Sequence, residues 1–392
     1  MKWVTLGSLA NVTSGGTPDR QRPEFWGGDV PWVKTTLIQN CEINREDIDE
    51  TITEAGLKKS SSRIIPAGSV LLAMIGQGRT RGQVALLRTD AAINQNCAAL
   101  VLKAGVDARY VYQQLLFRYD ELRNASNSSG QQNLNAQLIR SFKLPDLHPE
   151  AQVRVGAILA SWDAAIEKTE RLIAATAKRH ESLLIRLLGR RLWASSQHER
   201  ADVLFTPISE RNRPELPVLA VTQDQGVVPR STLDRRIAMD LSDPATFKVV
   251  RKDDFVISLR SFQGGLEHSA YEGLVSPAYT VLRCRAGVEP AFYRHYLKSP
   301  DFLKRLSVAV VGIRDGKQIN FADFASIQLP LPVRPQQASL AAALDASEAE
   351  LAVVKRQADA LRSQKRGLMQ KLLTGQWRLP APAISPEECS SC

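Results

Sequence analysis

Apolar residues recur at alternating steps of four and three in two long stretches of the chain. In the first stretch Val155, Leu159, Trp162, Ile166, Thr169, Ile173, Thr176, His180, Leu183 and Leu187 keep that step. In the second, Leu340, Leu344, Ser347, Leu351, Val354, Ala358, Leu361, Lys365, Leu368 and Leu372 do. Such a period is the a/d seam of a coiled-coil helix, and no proline interrupts residues 150–188 or 336–373. At 1.5 Å per residue each helix is about 55–60 Å long, too long to serve only as a packing helix in a small domain. Each therefore calls for a partner helix. The simplest partner is the other copy, met antiparallel across a pseudo-twofold axis; the alternative is that each seam packs on its own globular neighbour. The side chains expected to pack the helix pair are Leu159, Trp162, Ile166, Ile173, Leu183, Leu187, Leu344, Leu351, Leu361, Leu368 and Leu372, with the polar His180 setting register.

Outside the helices the pattern changes to short apolar runs closed by Gly and Pro turns, as strands require. In the first globular segment these are VPWVKTTLI, SVLLAMIG and AALVLKAG, with a helix expected from about Arg109 to Leu122. In the second they are LPVLAVT, FVISLRS and YTVLRCR, with a helix over Phe292–Leu306. Both segments read as mixed α/β.

The chain also repeats itself. QNLNAQLIRSFKLPDL, beginning at Gln132, lies over KQINFADFASIQLPLP, beginning at Lys317, at a shift of 185 residues that places Asn135 on Asn320, Leu144 on Leu329 and Pro145 on Pro330. The register continues unbroken through Gln152 on Gln337, Arg171 on Arg356 and Leu187 on Leu372. Upstream it survives only with small insertions, as in KAGVDARYVYQQL at Lys103 against RAGVEPAFYRHYL at Arg285. One unit, a globular segment followed by a long helix, is thus used twice. The expected divisions are globular segments at 1–149 and 197–332, helical spacers at 150–196 and 333–378, and a Pro- and Ser-rich disordered tail at 379–392.

Composition narrows the partners. The 392 residues are 44% hydrophobic and 23% charged, with 51 Lys and Arg against 41 Asp and Glu and a net charge of +10. The excess is spread along the chain and not gathered in a tail, so an acidic partner such as DNA would meet folded surfaces. Cys41, Cys97, Cys284, Cys389 and Cys392 are too few and scattered for a disulfide framework, and no apolar run approaches the roughly 20 residues of a membrane span. These features lead us to expect a cytoplasmic protein.

Catalytic motifs are missing. Gly316-Lys317-Gln318 lacks the hydroxyl and the glycine spacing of a phosphate-cradling loop, no GxGxxG follows a strand, and the Asn/Asp-Pro-Pro-aromatic signature of amino-methyltransferases does not occur. Pro300-Asp301-Phe302-Leu303-Lys304 has no second acid to complete a metal clamp and reads as a helix start, while Cys389-x-x-Cys392 supplies only two of the four ligands of a structural zinc site. What remains are polar, glycine-rich loops at strand ends, whose Asn, Gln, Arg, Ser and Thr side chains suit base edges and phosphates. The candidate DNA contacts in the first unit are Gly15, Gly16, Thr17, Lys34, Gln77, Arg79, Arg81, Ser129, Gln131, Gln132, Asn133 and Asn135. Those in the second are Arg260, Ser261, Gln263, Arg314, Lys317, Gln318 and Asn320. Neither set includes a catalytic or metal-binding residue.

Taken in order, several of these stretches identify a family. The chain resembles the specificity subunits of type I restriction-modification enzymes in its opening Trp3 region with SGGTP, in EFWGGDVPWVK, in AINQNCAAL, and in NLN running into KLPDLHPEAQ. The second unit matches through GLVSPAYTVL, KQINFADF, LPLPVRPQQ and QKRGLMQKLLTGQWRL, so that the likeness spans residues 1–380; its start, TPISERNRPELP, lacks the Trp and SGGTP opening. The resemblance implies two target-recognition domains separated by antiparallel helices that act as a ruler, and a bipartite, asymmetric DNA site. It implies a non-catalytic subunit whose partners are two methyltransferase subunits and two restriction/translocase subunits, with S-adenosylmethionine, ATP and Mg held only in those partners. Two other readings compete with it: a self-contained DNA-modifying enzyme with coiled-coil arms, and a coiled-coil scaffold that binds only proteins.

Overall fold

A computed structural model describes residues 2–76, 78–125, 133–233, 244–258, 261–309 and 319–379, with residues 262 and 263 described in backbone only. The chain forms two compact units, one of Met1–Thr169 with Gln357–Cys392 and the other of Glu170–Arg356. Each long helix is shared between them, so each unit owns a segment of both.

In the first unit a five-stranded sheet runs in the order Ala10–Ser14, Cys97–Leu102, Val70–Ala73, Val84–Leu87, Cys41–Ile43, antiparallel except at the last pairing. A second sheet orders Thr51–Ile52, Trp26–Val33, Ala91–Ile93 and Ile64–Ile65. Side chains along Val70–Ala73 alternate between two cores. Val70 and Leu72 join Tyr110, Leu115, Leu159 and Leu372, while Leu71 and Ala73 join Val33, Ile38, Ile65 and Ile93. This strand is covered on both faces, by helices on one and by the second sheet on the other, which is why SVLLAMIG reads as a continuous apolar run.

The second unit is built around a four-stranded antiparallel sheet in the order Phe205–Ile208, Thr280–Cys284, Phe255–Ile257, Glu267–His268. Phe255 and Ile257 face a core of Phe205, Phe292, Tyr293, Tyr296, Phe302 and Phe324, and Val256 faces Val227, Val250 and Val275. In both units the expected single helix is two. Residues Ala108–Phe117 and Tyr119–Ala125 are separate helices, as are Pro290–Tyr296 and Pro300–Ala309. The second break has a clear cause, since Pro300 carries no backbone N–H to continue the preceding helix and starts a new one instead.

The repeat proves to be a repeat of hydrogen bonds. Leu6 N–H donates to Phe142 O at 2.8 Å and Ala201 N–H to Ile327 O at 2.9 Å; Lys103 N–H donates to Leu9 O and Arg285 N–H to Leu204 O, both at 2.9 Å. Tyr110 Oη and Tyr293 Oη each donate to a proline carbonyl, that of Pro145 or Pro330, at 2.8 Å. Gln152 and Gln337 are both buried at the start of a long helix. Gln152 accepts from Asp107 N–H at 3.1 Å and donates to Leu147 O at 2.8 Å; Gln337 accepts from Glu289 N–H at 2.9 Å and donates to Pro332 O at 2.8 Å. Each glutamine bridges the loop before a domain helix to the turn before a long one.

The long helices run Pro149–Leu188 and Arg334–Leu373, each 40 residues and so about 60 Å. Gly375, at φ +70°, ends the second in a left-handed turn that returns Trp377 N–H to Lys371 O at 2.9 Å. Within each unit the two segments lie antiparallel. In the first, Asp163 meets Lys365 at 2.5 Å, and Val155 and Leu159 share a core with Met369, Leu372 and Leu373. In the second, Arg179 meets Glu350, His180 Nδ1 lies 3.1 Å from Ser347 Oγ, and Leu183, Leu187 and Leu188 share a core with Leu340 and Leu344. All the seam side chains are buried or half-buried, whereas Val153, Leu172, Ile185 and Val353 off the seam are exposed. The ends of the seam also pack on the globular cores, so the two alternatives for its partner are combined.

Candidate nucleic-acid interface

Strand directions in the first unit deliver several loops to one end of its sheets. Trp26–Val33 runs parallel to Ala91–Ile93, with Val33 paired to Ile93, so Lys34–Thr36 leaves where Asn94–Asn96 leaves. Ile64–Ile65 pairs antiparallel to the same strand, which brings the preceding residues, 60–63, to that end as well. Gly16 N–H donates to Ile93 O at 3.0 Å and its carbonyl accepts from Trp32 Nε1 at 3.1 Å, laying the SGGTP loop across the same place. Met74 N–H donates to Asn96 O at 2.9 Å and Leu134 N–H to Met74 O at 3.0 Å, adding the openings of the 74–82 and 133–135 loops.

The side chains in these loops divide into those spent on the fold and those presented. Gly15 and Gly16 are packing glycines. A Cβ on Gly15 would lie 1.8 Å from Ile93 O, and one on Gly16 would lie 2.3 Å from Ser61 Oγ. Lys34 is held by Asp49 and Glu50, each at 3.0 Å, and those hydrogen bonds, Asp49's first, keep its ammonium above its ordinary pKa. Asn135 and Asn320 are helix N-caps, with Oδ1 accepting from Leu138 N–H and Asp323 N–H, both at 2.9 Å. Ser261 is buried, its hydroxyl accepting from Ser258 N–H at 2.8 Å. Thr17, Arg79, Arg81 and Asn133 stay at the surface or half-buried. The backbone carbonyls of Arg79 and Arg81 are held by Tyr119 Oη at 2.7 Å and Arg123 Nη1 at 3.2 Å. Gln77, Ser129, Gln131, Gln132, Arg260, Arg314, Lys317 and Gln318, and the side chain of Gln263, lie outside the described residues.

Two features escaped the sequence reading. Asn94 Oδ1 accepts from Thr35 Oγ1 at 3.0 Å and from Asn96 N–H at 3.2 Å, which fixes a tight turn with the exposed Gln95 at its tip. Thr17 Oγ1 donates to Gln95 Oε1. The string AINQNC carries this turn, but only its likeness to a family drew notice. The other missed feature is the basic, serine-rich loop KKSSSR at residues 58–63. Among the described residues, His295, Asp345 and Glu348 come close enough to share a metal ion, but Arg294 Nη2 reaches Asp345 at 2.5 Å and Glu348 at 2.7 Å. That guanidinium makes the group an ion-pair node.

Residues 1–176, which carry all of these loops, match the type I restriction modification DNA specificity domain. Over these residues the chain is similar to that family. Specificity subunits are also what its curated relatives are. That of the type I restriction enzyme MjaIX from Methanocaldococcus jannaschii is 29% identical over 173 residues, 42% of this chain and 38% of that protein. That of EcoR124I/EcoR124II from Escherichia coli is 28% identical over 169 residues, 42% of this chain and 41% of that protein. The chain thus spans about two fifths of the length of these relatives. Similarity of fold extends further: the S subunit of a type I restriction-modification system from M. genitalium aligns at a TM-score of 0.58 and 14% identity, covering 95% of this chain and 96% of that one. The specificity-domain match covers the first globular segment and the start of the first long helix. No helix among the described residues is long and apolar enough to cross a membrane.

Proposed function

We propose that this chain is the non-catalytic, sequence-reading subunit of a type I restriction-modification complex, in which each globular unit reads one half of a bipartite, asymmetric DNA site. The observation that carries the reading is the matched specificity domain, whose loops gather at one sheet end with donor-rich side chains. The duplicated frame supports two heads, since the same joints recur in the second unit under different loop sequences. The partners are double-stranded DNA, two methyltransferase subunits and two restriction/translocase subunits. S-adenosylmethionine, ATP and Mg belong to those partners, where the methyltransferases flip the target base.

Exchanging residues 1–149 for the corresponding segment of another specificity subunit tests this directly. Methylation-sensitive sequencing of a host carrying the chimera and its methyltransferase is expected to show one half of the methylated motif changed and the other kept. A change in both halves, or in neither, refutes the two-headed reading.

A further inference from the structure

The cations around the first unit's loop cluster are unequal. Lys34 pairs with Asp49 and Glu50, Arg20 pairs with Glu50 at 2.7 Å and lies over the Trp26 ring 3.8 Å away, and Lys58 pairs with Glu54 at 3.0 Å. Lys59 and Arg63 are exposed, and among the described residues neither side chain has an acidic partner. Between them Ser61 is exposed with a hydroxyl bonded to nothing described, while Ser62 is buried.

This loop is anchored to the sheet. Ser62 N–H donates to Ser60 Oγ at 3.2 Å, Ser62 Oγ reaches Ile93 O at 3.5 Å, and Arg63 leads directly into the strand paired with Ala91–Ile93. Gly16 closes against Ser61 and Ser62 so tightly that no side chain fits there. The same glycine hydrogen-bonds Ile93, one residue before the turn that carries Gln95. So two uncommitted cations flank a free hydroxyl on a loop that adjoins the Thr17–Gln95 pair, with the ordering entropy of the loop backbone already spent in folding.

We propose that Lys59, Ser61 and Arg63 form a phosphate grip that fixes the first head on the DNA backbone and leaves base reading to neighbouring side chains. Cations and small hydroxyls bind phosphate oxygens without regard to sequence, whereas discrimination comes from base edges. The grip rests on the DNA-reading function proposed above and assigns that function's sequence-independent part to particular residues.

The test uses the full chain assembled with its methyltransferase subunits, binding a duplex that carries the methylated motif and a duplex of equal length without it, over a series of salt concentrations. Releasing two phosphate contacts lowers the slope of log affinity against log salt by about 1.8. K59A/R63A is therefore expected to show that smaller slope and to weaken both duplexes by the same factor, leaving the methylated motif unchanged. S61A is expected to weaken both duplexes equally with the slope kept. All three sites are exposed, and thermal unfolding identical to wild type confirms that the variants fold. An unchanged slope in K59A/R63A overturns the grip while leaving the DNA-reading function standing. A loss confined to the motif duplex also overturns it, because the loop would then be reading bases. If the wild-type complex shows no preference for the motif duplex, the DNA-reading function fails and the grip with it.

Discussion

Gln152→Met and Gln337→Met, made separately, test whether the duplicated frame does the structural work its hydrogen bonds suggest. Methionine keeps the length and approximate volume of glutamine but can neither accept from the loop amide nor donate to the turn carbonyl. Each change strands the backbone groups its side chain held, at a site 4% exposed for Gln152 and 1% exposed for Gln337. These are Asp107 N–H and Leu147 O in one unit, and Glu289 N–H and Pro332 O in the other, where a long 3.5 Å contact to Gly287 O is lost as well. A buried backbone group left unsatisfied costs about 1–3 kcal/mol, so each substitution is expected to cost about 2–4 kcal/mol after partial relaxation. Unfolding of a two-unit chain is not a single transition, which makes site-resolved amide hydrogen exchange the better assay. Protection is expected to fall at Asp107 and its neighbours in Q152M and at Glu289 and its neighbours in Q337M, by similar free energies. A change below about 0.5 kcal/mol in either variant, or an effect in only one of them, refutes the equivalence of the two joints.

Two further outcomes follow from side chains elsewhere. Glu267 is buried, and burial pushes its carboxyl up to about 7 even though Lys298 pairs with it. A carboxyl that holds its proton to higher pH when folded contributes stability at low pH and loses it as pH rises through its folded value. Glu267 is therefore expected to contribute a loss of on the order of 2–3 kcal/mol to the second unit between about pH 4.5 and 7, against the opposite contributions of His268 and His295, whose burial lowers their pKa values. Glu267→Gln should remove that loss, so that stability in urea titrations from pH 5 to 8 falls less, or rises more, than in wild type; a pH dependence equal to wild type would disprove the assignment. Asn135→Asp and Asn320→Asp separate cap from reader, because aspartate caps a helix as well as asparagine does but lacks the amide donor that pairs with adenine. Both variants are expected to keep wild-type stability and an unchanged methylated motif, and a changed motif would restore these residues as readers.

The architecture was legible because helical seams and internal register depend on residue type and spacing alone. A four-three step of apolar residues has few physical meanings, and a shift of 185 held through the long helices leaves little room for another topology. Even the buried glutamines were visible as a matched pair. The sheets were harder to read, since a strand covered on both faces loses the alternation that would mark it, and the broken helix of the second unit shows that a proline outweighs a favourable period. The loops were least legible. Whether an arginine is free or neutralised depends on which acids the fold brings to it, and nothing in the spacing of Lys34 from Asp49 and Glu50 distinguishes it from Lys59.

Asn135 and Asn320 show how that ambiguity could have been reduced from the sequence itself. A short amide side chain suits both an adenine edge and a helix N-cap, so residue type alone cannot choose between them. The repeat can. If the two heads read different half-sites, a side chain that is identical at equivalent positions of both heads belongs to what they share, and what they share is the frame. The same reasoning covers Gln152 with Gln337 and Pro145 with Pro330, each of which proves to be a joint. Readers are to be sought where the units disagree, as in NQN of the first unit, and not in the residues that made the duplication visible.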